Sequence, residues 1–151
     1  MKKLALFASV LMLGVLTASA GTLGVASFSD GGGNVDSQLF PPSLAATFLA
    51  LKNNEATANE YTVLYFGLDG SNRTPVANTF SIAGNAARGW RPVQTDPNEG
   101  VGSLIPNATG TAGAGTASIL YSDAVAPSGA VRIFVGGAAG ANSSYAWSMI
   151  P

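Results

Sequence analysis

Apolar residues alternate with polar ones over eight short stretches of this chain, and beyond residue 20 no window sustains a 3.6-residue apolar period. The stretches are "TLGVASFS" (22–29), "ATFLALKN" (46–53), "EYTVLYFGL" (60–68), "NTFSIAG" (78–84), "ARGWRPV" (87–93), "TASILYS" (116–122), "AVRIFVGG" (130–137) and "SSYAWSMI" (143–150). β-branched and aromatic residues dominate them, as strands favour. In 46–53, Leu49 and Leu51 share one face, with Phe48 and Ala50 on the other. The run 60–68 is apolar on both faces, which predicts a central strand covered on both sides. In 143–150, Tyr145, Trp147 and Met149 alternate with Ser144, Ala146 and Ser148, so Trp147 reads as core.

Gly, Pro, Asn and Asp fill the segments between these runs and supply turn geometry. "PNATGTAGAGTAS" (106–118) is low in complexity and reads as a flexible loop. After Pro42 there is room for one helical turn and nothing longer. Seven or eight short strands in a chain of this length predict a single antiparallel β-sandwich of Greek-key or jelly-roll type. An outer-membrane barrel fits less well, because such strands need ~9–11 residues with a lipid-facing apolar row.

The first twenty residues are of another kind. Lys2 and Lys3 precede an apolar run from Leu4 to Leu16, and Ala18-Ser19-Ala20 closes it as a small-x-small site. That is the layout of a secretory signal peptide over 1–20, cleaved before Gly21. The expected organisation is then signal peptide (1–20), N-terminal strand with a Gly-rich hinge (21–37) and sandwich domain (38–151). Export places the mature chain outside the cell or on its surface, with no membrane span.

Charge sharpens the picture. Only 10% of residues are charged, against ~25% in an ordinary domain. Without Lys2 and Lys3 there are five basic and eight acidic residues, a net charge of −3, which argues against nucleic acid as a partner. No charge occurs between Val101 and Ser122, and none follows Arg132. A surface so weakly charged resists self-association poorly. It suits either a subunit that packs against copies of itself or a secreted monomer with a neutral polar surface.

Catalytic chemistry has few carriers here. The absence of His and Cys removes Ser-His-Asp triads, thiol nucleophiles and ordinary zinc sites. No Gly-rich phosphate loop follows a strand and opens a helix. Glu55 and Glu60, the nearest acidic pair on well-formed elements, flank a turn and read as solvated charges. The expectation is a non-enzymatic protein without a cofactor. In "SDGGGNVDS", Asp30, Asn34 and Asp36 are the positions a calcium ion would use. Two carboxylates and an amide fall short of the six to eight oxygens calcium takes, so the stretch reads first as a polar linker.

Two function classes follow. In the first, Leu23, Val25 and Phe28 form a strand that Gly31, Gly32 and Gly33 hinge to the body. Leu23 and Val25 share one face, and the phase then shifts so that Phe28 falls on the other. Such a strand can pair at its own sheet edge or at a neighbour's, and head-to-tail exchange builds a filament. The layout resembles that of secreted β-sandwich filament subunits of bacterial surfaces and biofilm matrices. In the second class, Trp90 flanked by Arg88 and Arg91 forms an aromatic platform for a surface polysaccharide.

Overall fold

The computed structural model describes residues 20–30, 45–93, 105, 107–110, 113–135 and 143–151. The proposed signal peptide before Ala20, the glycines Gly31, Gly32 and Gly33, the candidate ligands Asn34 and Asp36, and the turn after Pro42 lie outside these residues. Among the described residues there is no helix, and eight strands carry the regular structure. They are β1 (Gly21–Asp30), β2 (Ala45–Lys52), β3 (Asn59–Gly67), β4 (Thr79–Ile82), β5 (Ala87–Trp90), β6 (Gly113–Tyr121), β7 (Ser128–Val135) and β8 (Ser143–Ser148).

The strands form two antiparallel four-stranded sheets, in the orders β1-β6-β3-β4 and β5-β2-β7-β8. β2 pairs with β7 and β3 with β6, while the consecutive strands β2–β3 and β6–β7 are each divided between the sheets. The two sheets are therefore interlocked through the short connections β2–β3 and β6–β7 that cross between them. Their facing sides share one apolar core, with Val25, Tyr61, Val63 and Ile119 from one sheet and Leu49, Leu51, Trp90 and Val131 from the other. The pleat explains the selection, since alternate residues of each strand point inward.

Two expectations change. β3 is central, yet it buries one face fully, and Thr62, Leu64 and Phe66 on the other are half-buried. The supposed loop over 106–118 already belongs to β6 from Gly113 onward. Gly and Ala carry little strand propensity, so the start of the strand, 113–115, is hidden in the sequence. Here it is imposed by pairing on both sides, with β1 and β3.

Sheet edges are closed by varied means. Where β4 stops, Thr74 Oγ1 accepts from the Tyr65 amide at 2.9 Å and Asn78 Nδ2 donates to the Val63 carbonyl at 3.1 Å. Together with the backbone of Asn78, Arg73 and Ser71, these side chains stand in for a neighbouring strand along the rest of β3.

Candidate assembly site

β1 is an edge strand, and its ten residues run along β6 from Gly21↔Tyr121 to Asp30↔Gly113. In the single chain it is no detached arm. Leu23, Val25 and Phe28 are all buried in the core. Placing Phe28 opposite Leu23 and Val25 is therefore corrected: register shifts between Val25 and Phe28, where two residues of β1 oppose one of β6. This β-bulge absorbs one residue and returns the later part of the strand to the inward phase. Phe28 then meets Tyr65 edge-on, with ring centroids 6.2 Å apart. Gly115 lies opposite Phe28, and a Cβ there would come 2.6 Å from the Phe28 ring. The missing side chain is the room the ring occupies.

The bulge also turns Asp30 inward, where it is 1% exposed. Arg91, fully buried and immediately after β5, reaches it from the other sheet. Arg91 Nε donates to Asp30 Oδ2 at 2.8 Å, and Nη2 donates to Oδ1, so the guanidinium grips the carboxylate at both oxygens. The base of this arm is itself held: Asn107 Nδ2 donates to the Arg91 carbonyl at 2.7 Å, and the Ala108 amide donates to the Pro92 carbonyl at 2.7 Å.

The outer edge of β1 is fastened at two points. The Gly24 amide donates to the Ile150 carbonyl at 2.6 Å, and the Ile150 amide donates back at 3.0 Å. Further along, the Ser29 amide donates to Thr47 Oγ1 at 3.0 Å, and that hydroxyl donates to the Ser29 carbonyl at 2.7 Å. Neither Thr47 nor the role of Arg91 was readable from local pattern. The available signals were a carboxylate at the end of an apolar strand and an arginine beside a tryptophan, in a chain with few charges.

The polysaccharide platform is corrected by burial. Trp90 is 0% exposed, donates from Nε1 to the Tyr65 hydroxyl at 2.8 Å, and packs on Phe80 at 5.6 Å between centroids. Arg91 is equally buried, and of the three only Arg88 is exposed. Trp90 lies between Arg88 and Arg91 in sequence, but its side chain faces the opposite sheet across the core. Calcium fares no better at Asp30, whose two oxygens face a guanidinium. Among the described residues no three His, Cys, Asp or Glu side chains gather as a metal cluster.

Elsewhere, polar groups serve the fold. Tyr61 donates to Asp123 Oδ2 at 2.7 Å inside the molecule, and burial together with that carboxylate pushes the phenol far above its ordinary range. Half-buried Glu55 is held below the usual carboxylate range, chiefly because its Oε1 accepts from the Val125 amide at 2.9 Å. On the outer face of the second sheet, Phe48 and Phe134 meet edge-on at 5.6 Å, with the Arg132 guanidinium 4.5 Å from the Phe134 centroid.

Among the described residues no helix is long and apolar enough to cross a membrane. No family model and no curated protein matches the chain. In shape it is similar to the crystal structure of Thermotoga maritima 1070, with a TM-score of 0.54 and 11% identity over 85% of this chain and 91% of that one. At that identity the likeness speaks for the fold alone.

Proposed function

We propose that this chain is a secreted, non-enzymatic structural subunit with interlocked Greek-key connections, which assembles with copies of itself by exchanging β1. One observation carries the reading: a strand at the chain's N-terminal side lies on a sheet edge yet supplies three core residues. Every contact it makes in its own chain is one that the same strand of a second copy reproduces. Exchange therefore changes little in contact energy, and the balance rests on the connection and the protein concentration. The connection between β1 and β2 is fourteen residues, 31–44, with three consecutive glycines. Such a segment reaches up to ~46–50 Å when extended. The low surface charge supports the same reading, because little repulsion opposes contact between copies.

The absence of cysteine makes a clean test possible. Both polar backbone groups of Gly24 turn away from β6, toward Ile150. Thr22, two residues back, shares that orientation and faces Leu120 across a non-hydrogen-bonded position, where Cα atoms lie ~4.5 Å apart. Thr22 and Leu120 are both exposed. The doubly substituted mature chain, T22C/L120C, has geometry suited to a cross-strand disulfide. Oxidised and run without reductant, exchanged protein gives a covalent ladder of multimers. Protein that keeps β1 in its own sheet gives only the internally crosslinked monomer, and that result at millimolar concentration would overturn the proposal.

A further inference from the structure

We infer that the buried Asp30–Arg91 pair is the recognition key of the β1 slot, selecting the strand of a second copy of this chain and fixing its register. The inference rests on the exchange reading and adds what the slot recognises. Leu23, Val25 and Phe28 offer only apolar bulk, which many strands can supply. Asp30 offers a charge at one depth, and Arg91 receives it through a two-point fork from the opposite sheet. A forked contact between fixed backbones tolerates little displacement. Slipping the strand by one residue turns the carboxylate to the outer face. Slipping it by two moves the carboxylate ~6.6 Å along the slot, out of reach of the guanidinium.

The receiving arm is rigidly based, because the carbonyls of Arg91 and Pro92 are both tied to the segment at Asn107 and Ala108. The donating strand is equally constrained, since the bulge and the Phe28 ring over Gly115 determine which residue arrives opposite Arg91. A foreign strand with an apolar residue in place of Asp30 would leave the guanidinium buried without that carboxylate, which is the costly case for an ion pair. The partner is thus defined by chemistry: a strand of this length with a carboxylate two residues beyond its aromatic anchor.

The test places D30K and R91E in the T22C/L120C background. Lys with Glu keeps nearly the combined reach of Asp with Arg. Each single variant lowers the melting midpoint by on the order of 10 °C or more and forms no ladder. Both changes in one chain recover more than half of that loss. The two single-variant chains, differently mass-tagged and co-refolded from denaturant, form a ladder in which the tags alternate. There the strand of the D30K chain meets the slot of the R91E chain, and native strands meet native slots. Co-refolding keeps the test decisive even if neither variant folds alone, and D30N, a milder change, should lower the midpoint while altering the ladder little, because it weakens a chain's own strand and a copy's strand equally. A chain with both changes no more stable than the singles would overturn the key. So would a mixture whose tags join at random instead of alternating, although exchange itself would then stand. Recovery in the one chain without a ladder in the mixture would show a lock working within a single chain, and the exchange reading would fall.

Discussion

Tyr61 shows how a single hydroxyl ties stability to pH. Its donation to Asp123 requires the neutral phenol, and its folded pKa lies above the ordinary 10.0. A group raised in the folded state contributes fully below its unfolded pKa and loses that contribution as pH rises beyond it. Denaturant midpoints followed above neutrality should therefore fall steeply past pH ~10. Y61F should flatten that fall, and near neutral pH it should be ~1–3 kcal/mol less stable because Asp123 loses a donor. The tryptophans separate just as sharply. Trp90→Ala should cost ~3–5 kcal/mol by denaturant titration. Trp147 was expected in the core but is only partly buried against it, and its neighbour on the same face, Tyr145, is 60% exposed. Trp147→Ala should thus cost clearly less than Trp90→Ala, and a reversed order would refute this assignment of the core. The reason is physical. Alternation reports which residues share a face, whereas depth depends on whether another sheet lies opposite. Both lie on edge strands of the same sheet, but Trp90 on β5 packs against Phe80 and Tyr65 of the opposite sheet, whereas Trp147 on β8 is only partly covered.

At the scale of elements, local pattern carried far. Predicted runs at 46–53, 60–68 and 130–137 correspond to β2, β3 and β7 within two residues at each end. Their side chains alternate in size and polarity, so the pleat is written into them. What stayed hidden was the bulge in β1 and the first three residues of β6, and the two belong together. Pattern alone assigned Phe28 to the wrong face because a bulge adds a residue without altering composition. In its partner segment Gly115 leaves the room the Phe28 ring fills, and the Gly- and Ala-rich composition there imitates a loop. Gly115→Ala should destabilise the protein by ~1–3 kcal/mol through overpacking against the Phe28 ring and the Phe66 carbonyl. Thermal melting checks it, and an unchanged midpoint would mean that the ring moves freely.

For the whole molecule, two four-stranded sheets with a shared core were legible from strand count, spacing and the lack of helical periodicity. Strand order was not, since β2–β7 and β3–β6 join segments distant in sequence. The ion pair between Asp30 and Arg91 was out of reach for the same reason, being sixty-one positions apart. Of the candidate site, the apolar residues of β1 could be named from sequence, and the groups that receive them could not. If copies exchange β1 as proposed, the ladder between β1 and β6 would have a mechanical meaning. Tension between subunits would arrive through residues 31–44 and pull on the Asp30 end of a strand lodged in its neighbour. Antiparallel hydrogen bonds stand perpendicular to the strand, so a pull along β1 loads them together in shear instead of opening them one after another. The grip of Arg91 sits at the loaded end, where slippage would begin. Such a joint yields readily to a force across the sheet and resists one along it, which is the anisotropy a fibre under tension requires.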